Sequence, residues 1–440
     1  MVFNQFLMVI LSKDKVCVTL FSFSDDSVSR DVCNFALRLE KDKRVMKRIL
    51  TWLLLFAATV MQAQVKGSDL HPIWVGTWAT APQEVVRSFM PFNNDMTERS
   101  VRQCVKVSVA GDVVRLELSN AYGSGPVKIG SVYIAPSLEA YKIDPRRAVY
   151  LKFRGKDTVT IAPGKSVFSD AVRFKLAARQ RVAITINYVS APNEPSVHMG
   201  SRTTSYILHG TSTPKTDFRE SFREDHWFNI AALDVVSNRA RAVAVLGNSI
   251  TDGKCSTTNK NDRWPDFLSE NLPGMGVLNL GIGANCVLSK FIGEPGEKRF
   301  DRDILGQRGL KAILVFEGTN DLGRSRDGVA CARQLIEAYR KFISKARQRH
   351  IRIYGCTILP FKRSPYYSYN HERGRNIVND WIRYSGEFDG VIDFDRLMSD
   401  PFDRSQLRPA WQADWLHPNP AGYREMGKYA AERLKVLLKL

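Results

Sequence analysis

The stretch Ala242 to Gly253, A-V-A-V-L-G-N-S-I-T-D-G, decides how the second half of the chain is read. Its apolar run, Ala242 to Leu246, stops at Gly247, and Ser249 follows in a polar, turn-prone segment closed by Asp252-Gly253. The pattern predicts a buried strand that delivers a hydroxyl at its carboxyl end. In open α/β sheets ligands bind outside those ends, so Ser249 stands where chemistry is expected. The plain alternative is an ordinary strand-ending turn.

Downstream, the same alternation repeats. Apolar runs at Val277 to Leu280, Lys311 to Phe316, Ile351 to Ile358 and Val391 to Phe394 are separated by helical patterns at Pro265 to Asn271, Val329 to Arg349, Arg373 to Tyr384 and Ala421 to Leu438. Repeated strand and helix over residues 241–440 predicts an α/β domain, a parallel sheet with helices on both faces joined by right-handed crossovers. Two further segments then fall at the edge that carries Ser249. After the third strand comes Glu317-Gly318-Thr319-Asn320-Asp321, and before the last helix comes Asp414-Trp415-Leu416-His417-Pro418-Asn419. An Asp and a His three apart in a loop can hydrogen-bond, which fixes the imidazole tautomer and frees the other nitrogen to take a proton from a serine.

Upstream, the period is that of strands. Val105, Val107 and Val109 alternate with polar residues, Gly111-Asp112 reads as a turn, and Val114, Leu116 and Leu118 alternate again, which predicts a hairpin. Further alternating runs at Val127 to Ala135, Val149 to Phe153, Val172 to Leu176, Val182 to Tyr188 and Phe228 to Val236 predict a β-sandwich or jelly-roll-like domain over residues 65–238.

Ahead of it, Met46-Lys47-Arg48, the apolar run Ile49 to Val60 and the small residue Ala63 read as a signal peptide over residues 46–63. Residues 1–45 then read as an extension ahead of the true start. The apolar run is short for a bilayer span, which needs about 20 residues. The expectation is therefore export, to the periplasm, the cell surface or the medium.

The formal net charge is +19, of which residues 1–63, with nine Lys/Arg and six Asp/Glu, contribute only a small part. The charge is dispersed, without a dense Lys/Arg tract or a binding motif, so no nucleic-acid partner is expected. Five cysteines follow the leader, Cys104, Cys255, Cys286, Cys331 and Cys356, without metal-ligand spacing. They read as buried free thiols, with a Cys255–Cys286 bridge as the alternative in an oxidising compartment. Gly247 to Lys254 fails as a phosphate loop because its glycine spacing is wrong and Cys255 stands where Ser or Thr is needed. The lipase elbow G-x-S-x-G also fails, since Thr251 occupies its last position. No cofactor and no metal are expected.

From Arg241 onward the chain resembles the SGNH, or GDSL-type, hydrolases. Gly247-Asn248-Ser249-Ile250-Thr251-Asp252-Gly253, Asn279 to Leu288, Gly318-Thr319-Asn320-Asp321 and Asp414-Trp415-Leu416-His417 match four of that family's blocks in order. Arg263-Trp264-Pro265-Asp266, Phe300 to Asp303, Tyr354 to Phe361 and the His71 to Trp78 segment look like the arylesterase and acylhydrolase branch found among xylan-degrading enzymes. The resemblance implies a flavodoxin-like sheet, Ser249 as nucleophile, His417 as general base and acid, and Asp414 orienting His417. The oxyanion hole would be formed by the Asn320 amide, the Ser249 N–H and an N–H of Ala284 or Gly283. Two residues depart from the family pattern. Asn248 stands where the family has Asp, and Ala284 where it has Gly, a position at which a left-handed backbone would cost alanine roughly 1–2 kcal/mol.

Tyr366, Tyr367 and Trp264 are candidate substrate-lining aromatics, with packing as the alternative for each, and Glu317 reads either as a carboxylate behind the site or as a strand-end surface residue. The resulting expectation is an exported serine esterase removing small acyl groups, acetyl foremost, from polysaccharide or oligosaccharide, without a stable protein partner. A lipid-directed acylhydrolase and a catalytically silent glycan-binding protein are the alternatives.

Overall fold

The computed structural model describes residues 72–440 except 87, 89, 93 and 94, together with the backbone of 7–12 and 15–20. The expected signal peptide lies outside the described residues. β1 (Leu7–Ser12) and β2 (Lys15–Leu20) pair antiparallel as a separate hairpin. Residues Pro72–Leu440 form one compact unit, and among the described residues no helix is long and apolar enough to cross a membrane.

Strands β3 (Ile73–Ala79), β4 (Arg99–Lys106), β5 (Gly111–Asn120), β6 (Val127–Pro136), β7 (Val149–Leu151), β8 (Val159–Ile161), β9 (Lys165–Phe168), β10 (Val172–Leu176), β11 (Arg181–Ser190), β12 (Val197–His198), β13 (Ser205–His209), β14 (Phe222–Glu224), β15 (Trp227–Phe228) and β16 (Ile230–Ser237) form the β-rich part. One antiparallel sheet has the order β10-β5-β16-β3, with β9 also on β5; the other has β14-β13-β4-β11-β6-β7, with β8 also on β6. A short pair, β12-β15, lies apart from both.

The expected Val105–Leu118 hairpin is corrected here. β4 pairs with β11 and β13 while β5 pairs with β10, β16 and β9, so the chain crosses between sheets instead of folding back. Thr77 diverts it: its Oγ1 accepts from Val109 N–H and donates to the Val109 carbonyl, and its carbonyl accepts from Ser108 N–H. Alternation reports that a segment is a strand with one buried face, and it carries no information on the partner.

The parallel sheet comprises β17 (Arg241–Gly247), β18 (Met275–Gly281), β19 (Leu310–Phe316), β20 (Arg352–Cys356) and β21 (Val391–Ile392), in the order β18-β17-β19-β20-β21. Counting from β17, this is the doubly wound order 2-1-3-4-5, whose reversal point lies between β17 and β19. Both faces are covered, which is why β17 is apolar from Ala242 onward. Val243 and Val245 pack with the helices Trp264–Asn271 and Pro420–Leu438, while Ala242, Ala244 and Leu246 point into the opposite core with the helices Gly328–Gln348 and Tyr369–Tyr384. That second core is continuous with the β-rich part, through Val75, Leu116 and Ile184 among others.

The two parts touch where β3 runs against β18. A Cβ at Gly276 would lie 2.1 Å from the Gly76 carbonyl oxygen, a backbone atom that could be moved only at a cost. Gly276→Ala is therefore expected to destabilise the protein by about 3 kcal/mol, the upper end of overpacking penalties. Urea denaturation checks this, and a loss below about 1 kcal/mol would show that the seam yields.

Candidate active site

β17 ends at Gly247, and the chain turns straight into a one-turn helix, Ser249–Asp252. The turn is tight enough that a Cβ at Gly247 would sit 2.1 Å from Thr251 Oγ1, so glycine is required there. Asn248 caps the helix by accepting from Ile250 N–H through its side chain at 3.1 Å. Ser249 is the first helical residue and half-buried, so its hydroxyl stands at the carboxyl edge of the sheet beside the reversal point.

His417 reaches the same place from the loop before the helix Pro420–Leu438. Its Nδ1 donates to Asp414 Oδ2 at 2.8 Å, which leaves Nε2 to accept from Ser249 Oγ at 2.9 Å. Asp414 is itself built in, since its Oδ1 accepts from the backbone N–H of Leu416 and of His417. Trp415 takes a left-handed φ of 64° to close this turn. Partial burial pushes the Asp414 carboxyl up, but its hydrogen bonds from the side chain and backbone of His417 and from Leu416 outweigh burial and hold it well below the usual carboxylate range.

A depressed folded pKa stabilises the fold above the unfolded value and loses that contribution as pH falls through the folded value. Asp414→Asn is therefore expected to be less stable than wild type above about pH 4, with the gap closing at lower pH. Urea midpoints at about pH 7 and about pH 3 test this, and a gap independent of pH would contradict it.

Asn320 lies in the helix Thr319–Arg324 that follows β19 and is almost fully buried. Its Nδ2 donates to the Asn285 carbonyl at 2.8 Å, while its Oδ1 accepts from Tyr366 OH at 3.0 Å. The two bonds fix which way the amide faces. Ala284 adopts a left-handed φ of 58° in the adjoining loop. Ala284→Gly relieves that strain, and after the larger unfolded-state entropy of glycine the net gain is about 0.5–1 kcal/mol. A raised thermal midpoint is the expected reading, and a lowered one would show that the Cβ packs usefully.

Three groups were not visible in the sequence. Arg299 has no exposed surface and donates to the carbonyls of Gly247 (3.1 Å) and Leu280 (2.7 Å) and to Asn285 Oδ1 (2.9 Å), behind both site loops. Asp321 accepts from the backbone N–H of Val287 and Leu288, pinning the Ala284 loop from its far end. His198, on β12, spans the Ala81 carbonyl (2.9 Å) and Asp252 Oδ1 (3.0 Å), so the β-rich part grips the helix that carries Ser249. All three are ordinary charged or polar residues whose role depends on distant backbone.

The cleft above Ser249 has a volume of about 460 Å³. Its walls include Gly283, Ala284, Ile292, Tyr366 and Leu416, and from the β-rich part Gln83, Val86, Met199, Arg202 and His226. Tyr366 thus lines it. Trp264 does not: it is fully buried and packs against Phe316 and Phe394, because an apolar ring at the start of the helix Trp264–Asn271 completes the core. Tyr367 packs against the core and is not among the cleft residues. Glu317 is buried rather than superficial, and burial pushes its carboxyl well above the usual range despite the guanidinium of Arg299 beside it. Asn248 lies next to it, so the amide places a donor where aspartate would set a second carboxylate. The described cysteines are free thiols, and only Cys255 is not buried.

Residues 245–425 match the GDSL-like lipase/acylhydrolase family. This GDSL-like segment spans Ser249, Asn320, Asp414 and His417, and supports an ester hydrolase with the SGNH fold. Its structural relatives include a GDSL-like lipase from Bacteroides thetaiotaomicron, 19% identical over 46% of this chain and 89% of that one, TM-score 0.34. A carbohydrate acetylesterase family member from Sinorhizobium meliloti is 15% identical over 46% of this chain and all (100%) of its own, TM-score 0.35. The M. smegmatis aryl esterase is 15% identical over 45% of this chain and 100% of its own, TM-score 0.37. No curated protein sequence matches the chain.

Proposed function

We propose that this protein is an exported serine esterase that removes small acyl groups, acetyl foremost, from polysaccharide or oligosaccharide. The observation that carries the reading is the unbroken hydrogen-bonded series Ser249 Oγ, His417 Nε2, His417 Nδ1, Asp414 Oδ2, at 2.9 and 2.8 Å. Ser249 Oγ attacks the ester carbonyl as its proton passes to His417 Nε2, and the imidazolium so formed is met by the Asp414 carboxylate. Charge then gathers on the carbonyl oxygen, for which the backbone N–H of Ser249, that of Ala284 or Gly283, and the Asn320 amide are the proposed donors. Each such donor contributes about 10²–10³ in kcat. His417 returns the proton to the leaving alcohol, and a water repeats the sequence to release the acid.

Export follows from the leader Met46 to Ala63, and carbohydrate from the resemblance to the xylan-associated branch together with the polar wall Gln83, Arg202, His226 and Lys254. The side chains of Val86, Met199, Ile292 and Leu416 in the same cleft favour a second reading, a lipid-directed acylhydrolase. Turnover of acetylated xylan set against micellar lysophospholipid separates the two. Faster acetate release supports the first reading, faster fatty-acid release replaces it with the second, and binding of xylan without hydrolysis of either leaves a glycan-binding protein.

A further inference from the structure

We propose that Cys255, Asp414 and His417 form an inhibitory site for a soft divalent cation, zinc foremost. One ligand atom from each residue lies within 4.8 Å of the others. Cys255 Sγ is 3.9 Å from Asp414 Oδ2, which is 2.8 Å from His417 Nδ1. A thiol, a carboxylate and an imidazole are the donor set zinc takes, with bonds of about 2.0–2.3 Å that put neighbouring donors roughly 3.5 Å apart in a tetrahedron. The cluster therefore needs shifts of less than about an ångström to close on an ion, and water fills the fourth position.

Two features open the site to solvent. Cys255 is half-buried on a left-handed turn (φ 68°), and the Asp414 side chain is 45% exposed. Lys254 and Arg202 act on the thiol with the opposite sign to Asp414. Their repulsion of a cation is offset by the carboxylate and by the negative charge the sulfur gains on binding.

The consequence for catalysis rests on the reading of His417 as the base. The metal forms a bond to Sγ as the S–H proton leaves to solvent, and a bond to an Asp414 oxygen. At His417 it takes the Nδ1 electron pair, so the single imidazole proton moves to Nε2. An Nε2 that carries a hydrogen cannot accept the proton of Ser249 Oγ, and no electron changes hands in the process. Metal and turnover therefore exclude each other.

The full chain is titrated with cobalt(II) as a spectroscopic probe, in wild type and in Ser249→Ala, with Cys255→Ser as the comparison. A thiolate-to-cobalt charge-transfer band is expected in the first two and not in the third, and zinc should bleach it. In parallel, zinc is expected to suppress p-nitrophenyl acetate turnover, with recovery on adding EDTA. Cys255→Ser should keep its basal turnover and need more zinc for the same inhibition, by more than the roughly 10–100-fold that loss of an outer hydrogen-bonding partner costs a metal site.

The absence of a thiolate band overturns the site. Equal zinc sensitivity of Cys255→Ser and wild type overturns the role of the thiol. A band in a protein without turnover would leave the metal site standing while removing the inhibition and the esterase reading beneath it, so the two failures are distinguishable.

Discussion

Replacing Ser249 with alanine is expected to lower kcat for p-nitrophenyl acetate by about 10⁴–10⁶-fold, and His417→Ala by a similar factor. The two side chains act as one device, because the hydroxyl is a poor nucleophile until Nε2 takes its proton and Nε2 has no task without the hydroxyl. Their losses should accordingly not add: the double variant falls no further than either single one. The 2.9 Å contact between Ser249 Oγ and His417 Nε2 makes this a statement about one hydrogen bond. Ser249 is half-buried and, among the described residues, its hydroxyl bonds only to His417, so the alanine variant should keep the wild-type thermal midpoint. A lowered midpoint would point to misfolding instead of a lost nucleophile. Wild-type turnover no faster than that of Ser249→Ala would remove Ser249 as nucleophile and leave glycan binding as the working function.

Much of this site could be read from the chain because the groups that meet are announced by local signals. The run Ala242 to Leu246 became β17, Arg241–Gly247, and the runs near 277, 311 and 351 became β18, β19 and β20, because buried parallel strands are apolar throughout. Asp414 and His417 share a turn of four residues, so their pairing is a local event. What escaped notice is non-local. The strand pair at Val105 and Leu118 has the pattern of a hairpin, yet Thr77, about thirty residues upstream, sends its halves to different sheets. Trp264 is polar at one atom and apolar elsewhere, and only packing on Phe316 and Phe394 decides that it belongs to the core. His198 and Asp252 are 54 positions apart and meet at the end of the helix Ser249–Asp252. That contact means the β-rich part helps to form the site, as do its side chains in the cleft wall, a role that strand periodicity cannot disclose.

Arg299 gives the largest stability effect. Its guanidinium lies in the core, and besides the two carbonyls and Asn285 it faces Glu317 Oε1 at 3.4 Å and Asp303 Oδ2 at 3.5 Å. Asp303 keeps a second partner in Arg302, whose Nε lies 2.6 Å from Asp303 Oδ1, whereas among the described residues Glu317 has no other cation in contact. Arg299→Met therefore strands one buried carboxyl and takes a donor from three acceptors, of which the Gly247 carbonyl keeps the Ile282 N–H, and about 3–5 kcal/mol is the expected loss. The loss should depend on pH with a definite sign. Burial already raises the Glu317 carboxyl and Arg299 opposes that rise, so removing Arg299 raises it further. A carboxyl raised in the folded state stabilises the fold below its unfolded value and ceases to as pH climbs through the folded value. Wild type and variant lose this contribution in step up to the folded value of wild-type Glu317, so the deficit of Arg299→Met should stay level from about pH 4 to that raised value and grow above it. Urea unfolding at about pH 5 and about pH 8 reads it directly, and a deficit that shrinks with rising pH would contradict the assignment. Adding Glu317→Gln to Arg299→Met should recover part of the stability, because the stranded charge is then gone. Activity should not recover with it, since Gly247 and Asn285 flank Ser249 and Ala284, and a shift of about 1 Å there costs roughly 10²-fold in rate.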